Sequence, residues 1–134
     1  LETDGKGEEA DMIVLDYQDR RPLYEQVAEK LQRMIVKGIL AKDEQLPSVR
    51  SLAMELSVNP NTIQRAYGLL EREGYIYPVK GRGNFVSPPE SFMGEQKDSF
   101  FRELDELLLQ GYDLGVSRLE VCEHVDIVYK EGSR

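Results

Sequence analysis

The dipeptide Asn59-Pro60 constrains the fold of this chain more than any other pair of residues in it. An asparagine side chain can accept a hydrogen bond from a backbone N–H two positions on. A proline at the first helical residue loses no intrahelical bond and presets φ for the helix. A helix is therefore expected to begin here. Ile63, Ala66, Tyr67 and Leu70 follow at spacings of three and four, and Gly74 supplies a stop. Immediately upstream, Ser48 can cap a shorter helix whose Val49, Leu52, Ala53 and Leu56 share one face, with the break at Ser57-Val58. Two helices joined by so short a turn form a helix-turn-helix unit.

The second helix is polar where it starts. Asn59, Asn61, Thr62, Gln64 and Arg65 cluster at the end whose backbone N–H groups and dipole attract phosphate. This arrangement suits a helix laid into the major groove of DNA. Residues 75–79 can then pair back with residues 84–86 across Lys80-Gly81-Arg82-Gly83. The glycines permit a tight turn, and Lys80 and Arg82 charge its tip. Such a basic wing can reach the groove or backbone beside the helix; the plain alternative is an ordinary hairpin with solvated charges. Gly81-x-Gly83 is no nucleotide fingerprint, because it follows no buried strand and opens no helix.

Four segments agree in order and spacing with a known pattern: Leu46-Pro47-Ser48-x-Arg50-x-Leu52-Ala53, Val58-Asn59-Pro60-Asn61-Thr62-Ile63-x-Arg65-Ala66-Tyr67, Leu70-Glu71-x-Glu73-Gly74 and Gly81-Arg82-Gly83-x-Phe85-Val86. Together they resemble the DNA-binding domain of GntR-family bacterial transcription regulators over roughly residues 13–88. The resemblance implies DNA contacts by Arg50, by Asn59, Asn61, Thr62, Gln64 and Arg65, and by Lys80, Gly81 and Arg82 at the wing tip. The chain departs from the family at two places. Lys42-Asp43 stands where the family often has Pro-Gly, and since aspartate tolerates the left-handed region the loop is expected to keep its form. Asn84 stands where the family often has threonine.

A net charge of −8 looks wrong for a DNA binder until it is divided along the chain. Residues 1–16 hold one lysine against six carboxylates, and residues 88–134 hold five basic against eleven acidic residues. Residues 17–87 hold eleven basic residues against eight acidic ones, so the positive portion coincides with the helices and wing. Acidic flanks would orient that face toward a polyanion.

Several other function classes find no footing. One cysteine, Cys122, and one histidine, His124, exclude an intrachain disulfide and a thiolate or histidine-rich metal site. Two positions apart, they point in different directions on a helix. There is no Ser/His/Asp constellation and no phosphate loop. Asp98, Glu103, Asp105 and Glu106 read as a solvated helix face rather than a metal cluster. No membrane span or signal peptide is recognisable, so a cytoplasmic, cofactor-free, non-enzymatic protein is expected.

The remaining segments complete the architecture. Residues 1–11 are polar and acidic, expected to be a disordered leader or a remnant of expression, with Met12 as the natural start. Residues 13–15 are expected to form a short strand. Arg21-Pro22 opens a helix with Leu23, Val27, Leu31, Met34 and Ile35 on its apolar face, ended by Gly38. Burying five such side chains at about 1.5–3 kcal/mol each matches the scale of a small domain's net stability before entropy is counted. Arg20 and Arg21 read equally well as phosphate contacts or as solvated charges.

The winged helix-turn-helix domain is thus expected over residues 12–88 and a two-helix dimerisation tail over residues 89–134, in a mainly α chain with a small β-wing. Two prolines, Pro88 and Pro89, stiffen the boundary. One tail helix carries Phe100, Phe101, Leu104, Leu107 and Leu108 and ends near Gly111. The other begins at a capping box, Ser117-x-x-Glu120, and is expected to bury Leu119, Val121, Cys122, Val125 and Val128, with Tyr129 beside them. A unit this short seldom folds alone. Its cover is either the winged domain or the same helices of a second chain, and a protein reading two half-sites favours the second.

A short two-helix tail resembles the YtrA subfamily, in which it mediates dimerisation and whose members often regulate operons for ABC-type transporters. The leading expectation is a homodimeric repressor binding double-stranded DNA at an inverted repeat. Two alternatives remain: a winged-helix protein–protein adaptor, and a regulator holding a small ligand near Tyr112, Phe100 and Phe101, between the tail and the winged domain.

Overall fold

Pro22 and Gly38 bracket the first helix as their chemistry requires. In the computed structural model, which describes residues 13–133, α1 spans Leu23–Val36 with Pro22 at its N-cap. It buries Gln26, Val27, Ala28, Leu31, Met34 and Ile35, while Leu23 is only half-buried. Gly38 takes φ +79°, and the N–H groups of Ile39 and Leu40 return to the Met34 carbonyl at 2.8 and 3.1 Å. The expected leader, residues 1–11, lies outside the described residues.

The next two helices follow their caps. In α2, Val49–Leu56, the Ser48 hydroxyl accepts from the Ser51 N–H at 3.0 Å. Ser57 then turns left-handed at φ 56°, and the Val58 N–H closes on the Ala53 carbonyl at 3.0 Å. In α3, Pro60–Arg72, the Asn59 carboxamide accepts from the Asn61 N–H at 2.8 Å and Pro60 occupies the first turn. Ile63, Ala66, Tyr67 and Leu70 are buried, as their spacing demands. The three helices share one core with Leu40, Leu46, Leu52 and Ala53.

The hairpin pairs β1, Ile76–Val79, with β2, Gly83–Val86, antiparallel, from Ile76↔Val86 to Val79↔Gly83. Gly83 belongs to the strand rather than the turn, so the tip is the three residues Lys80, Gly81 and Arg82, closed by Arg82 N–H to the Val79 carbonyl at 2.9 Å. The loop before α2 adds a further edge. Asp43 N–H bonds the Val86 carbonyl, Val86 N–H the Glu44 carbonyl and Leu46 N–H the Asn84 carbonyl, at 2.8 to 2.9 Å. Asp43 takes φ 65° at the position where the left-handed region was expected.

The expected strand at residues 13–15 does not form. Ile13 is buried, but the chain is held by a side chain instead of a strand neighbour. The Gln26 carboxamide accepts from the Asp16 N–H at 2.9 Å and donates to the carbonyls of Asp16 and Arg21 at 3.0 and 3.3 Å. A satisfied buried amide of this kind replaces the ladder that a strand would need.

The chain divides into two compact units, the first ending at Met93 and the second beginning at Gly94. After Pro88 a single 3-10 turn, Pro89–Ser91, delivers Phe92 into the first unit's core, its ring 4.6 Å from that of Tyr75. Helix α4, Met93–Asp113, runs past Gly111, and the reversal comes at Gly115, φ +83°, with Val116 N–H on the Gly111 carbonyl at 2.9 Å. Helix α5, Arg118–Gly132, starts with the expected capping box. Ser117 Oγ accepts from Glu120 N–H at 3.1 Å and Glu120 Oε1 from Ser117 N–H at 3.0 Å.

Within a single protomer neither tail helix has a buried residue. Val121 is half-buried, and Leu119, Cys122, Val125, Val128 and Tyr129 are exposed. The physical reason is that α4 and α5 touch each other only sparsely, so neither covers the other's apolar face.

Candidate nucleic-acid interface

A helix N-terminus can present polar side chains only if its own cap and its anchoring to the core are secure. In α3 both are. The Tyr67 hydroxyl donates to the Pro47 carbonyl at 2.7 Å in the interior, tying α3 to the residue before the α2 cap. A buried phenol satisfied in this way fixes how the two helices sit together. Asn61, Gln64 and Arg65 are exposed on the first two turns of α3, while Thr62 is half-buried. Asn59 is exposed; its side-chain oxygen accepts the cap bond, and its N–H₂ takes no part in that cap. Arg50 is exposed at the second position of α2.

Arg65 does not wave freely. Its guanidinium carbon lies 4.1 Å from the centroid of the Tyr24 ring on α1. Among the described residues, the ion pairs formed join Arg21 to Asp19 and Glu29, and Arg33 to Glu29. Arg50, Arg65, Lys80 and Arg82 have no carboxylate partner there, so their charge remains available to an anion.

The same ion pairs engage Arg21, one of the two arginines left open between phosphate contact and solvated charge. Its guanidinium is 2.8 Å from an Asp19 carboxylate oxygen and 3.1 Å from one of Glu29. Hydrogen bonds from Arg21 hold both carboxyls below their usual range, and in return raise Arg21. Arg21 is thus engaged by two carboxylates on the surface.

The wing is braced from behind. Gln45 Nε2 donates to the Arg82 carbonyl at 2.7 Å, and the Tyr77 hydroxyl donates to Asp43 Oδ1 at 2.7 Å. The latter bond raises the Tyr77 pKa above the ordinary phenol value. Tyr77 and Phe85 stack across the strands with centroids 5.8 Å apart. Lys80, Gly81 and Arg82 project from this frame into solvent, with Gly81 at φ +78°. Tyr24, Gln45 and Asp43 support the surface, and sequence reasoning assigned none of them a role there. Tyr24 reads in the sequence only as one more residue of an amphipathic helix, because a contact between α1 and α3 leaves no mark in spacing.

The tail residues expected at a dimer interface are surface residues in one protomer. Phe100, Phe101, Leu107, Leu108, Leu119, Cys122 and Val125 are exposed and Leu104 is half-buried. Phe100 and Phe101 meet edge to face at 5.1 Å. A shallow groove within the tail is lined by Leu104, Val116, Glu120, Val121, His124 and Val125, and not by Phe100, Phe101 or Tyr112. Among the described residues no group of three or more His, Cys, Asp or Glu could hold a metal, and no helix is long and apolar enough to cross a membrane.

A capped helix-turn-helix with free cations at its leading end, followed by a braced basic hairpin, defines a winged helix-turn-helix DNA-binding protein. The family model described as "Bacterial regulatory proteins, gntR family" matches residues 23–86, from the start of α1 to the end of β2. The HTH-type transcriptional repressor YtrA of Bacillus subtilis is 37% identical over 116 residues, covering 85% of this chain and 89% of that protein. A GntR-family transcriptional regulator from Listeria monocytogenes superimposes with a TM-score of 0.69 at 31% identity, over 84% of this chain and 97% of that one. YtrA from Sulfolobus acidocaldarius, described as a GntR-family transcription factor, does so at 0.58 and 34% identity, over 70% and 98%.

The chain belongs to the GntR family and is a DNA-binding transcription regulator of the YtrA-like kind, not an enzyme. An alignment of 116 residues is longer than the first unit, so the likeness to YtrA enters the tail helices as well. Family membership also removes the ground for an adaptor without a DNA role.

Proposed function

We propose that the protein is a homodimeric, cytoplasmic repressor that binds an inverted-repeat operator, one winged domain to each half-site. The domain over residues 12–88 reads DNA and the tail over residues 89–134 joins two copies. Asn61, Gln64 and Arg65 enter the major groove with Thr62 and the Asn59 amide at its edge. Arg50 anchors on the backbone, and Lys80, Gly81 and Arg82 meet the neighbouring groove. Half-sites spaced by about one helical turn, near 10 bp, are the geometric expectation. The B. subtilis relative is named as a repressor, which supports repression here. Resemblance to the YtrA subfamily points to a transporter operon as the regulated unit.

One observation carries the assembly. Two helices of 21 and 15 residues expose Phe100, Phe101, Leu107, Leu108, Leu119 and Val125 with nothing buried in either. Exposed apolar surface of this extent calls for a partner. A second copy offers the same surface, and a two-fold contact matches the symmetry of an inverted repeat. Sedimentation of the protein alone, and then on a duplex carrying both half-sites, tests this. A dimer in both cases supports the reading; a monomer at micromolar concentration that binds one half-site alone contradicts it.

The tail groove favours a second reading, in which a small apolar ligand switches DNA binding. Leu104, Val116, Val121 and Val125 would hold its body, and His124 would meet a polar end. Glu120 has one carboxylate oxygen in the Ser117 cap. A thermal-shift screen of metabolites tests it: a hit that also weakens operator binding supports the ligand, and a screen without hits counts against it.

A further inference from the structure

A guanidinium that reads DNA must hold its plane where the DNA arrives, and a long exposed side chain does not do so unaided. Arginine has much rotamer freedom to lose on binding. Arg65 lies on the second turn of α3, exposed, with its guanidinium carbon 4.1 Å from the centroid of Tyr24. Tyr24 is the second residue of α1, half-buried and packed against the hydrophobic core, so its ring is itself held in place.

We infer that Tyr24 is a positioning residue for DNA recognition: its ring holds the Arg65 guanidinium in place, so that the charge reaches the nucleic acid already positioned. The inference rests on the reading that Arg65 meets DNA. A contact with a ring, unlike one with a carboxylate, does not tie up the guanidinium N–H donors, which stay free for phosphate or a base edge. A carboxylate partner would have consumed those donors, as Asp19 and Glu29 do for Arg21. An aromatic ring is the partner that positions arginine without neutralising it. It also links α1, which has no assigned DNA contact, to the reading head.

The test is a double-mutant cycle on the full-length protein, with Tyr24→Leu, Arg65→Ala and the pair, read as operator affinity at several salt concentrations. Tyr24→Phe keeps the ring face and removes only the hydroxyl. A cation–π contact at an exposed site corresponds to about a two- to fivefold change in Kd. Tyr24→Leu is expected to weaken binding about that much per half-site in the wild-type background and not at all in the Arg65→Ala background. Tyr24→Phe should bind like wild type. A merely structural role would lower the melting temperature and weaken binding in both backgrounds alike, which would overturn the inference. Loss of binding in Tyr24→Phe would also overturn it, by assigning the effect to the hydroxyl. If Arg65→Ala leaves affinity and salt dependence unchanged, the reading of Arg65 as a DNA contact fails first, and the inference fails with it.

Discussion

Asn59 and Asn61 are two positions apart and do different work. Asn59 closes the first turn of α3 with its side-chain oxygen, whereas Asn61 contributes a backbone N–H to that cap and keeps its side chain exposed. Asn59→Ala is therefore expected to lower unfolding stability by about 0.5–2 kcal/mol, measured by urea titration. Asn61→Ala should stay within about 0.5 kcal/mol of wild type while weakening operator binding. Arg50 and Arg65 separate by a different criterion. A residue that reads a base should cost about 1–3 kcal/mol on its own site and relax specificity there. One that meets only phosphate should weaken all duplexes alike and reduce the salt slope by about one unit. Alanine variants titrated on operator and scrambled DNA distinguish the two, and unchanged affinity for both would remove this face from the interface.

Glycines and caps set the element boundaries, and two glycines make predictions of different size. Gly74 takes φ +83°, and a Cβ there would sit 2.6 Å from the Ser91 backbone oxygen. Gly74→Ala adds that collision to a left-handed strain of about 1–2 kcal/mol, so the winged domain should lose clearly more than about 2 kcal/mol. Gly81 has φ +78° but open space around it, so Gly81→Ala should show the strain alone. At the start of α5, hydrogen bonds from Ser117 N–H hold the Glu120 carboxyl below its usual 4.5. A depressed acid stabilises the folded form above its unfolded pKa and loses that contribution as pH falls through the folded value. The protection of amides at the first turn of α5, measured relative to their intrinsic exchange rates, should therefore fall on acidification below 4.5, and Glu120→Gln should abolish that pH dependence.

These elements also show what the sequence makes legible. Ser48, Asn59-Pro60, Gly74 and Ser117-x-x-Glu120 act within four residues of themselves, so each boundary could be read directly. The supposed strand at residues 13–15 could not, because its fate depends on a buried Gln26 amide ten positions away. The same limit hid Tyr24 beneath Arg65 and Gln45 behind Arg82, where contacts cross between elements. It hid Phe92 as well, which follows two prolines but packs on Tyr75.

At the scale of the whole molecule, the acidic flanks and the apolar tail require a use that a lone winged domain does not supply. Leu108→Glu and Leu119→Glu lie on exposed tail surface, so each should change monomer stability by less than about 0.5 kcal/mol. If the tail joins two copies, each should nevertheless shift sedimentation from dimer to monomer and weaken operator binding with it. The central claim is that this tail makes two reading heads act as one. Selection of bound duplexes from a random pool, followed by salt titration of the winners, tests it most directly. The account predicts an inverted repeat with half-sites about 10 bp apart, bound far more tightly than random DNA. Recovery of single half-sites, or of no preferred sequence at all, would contradict it.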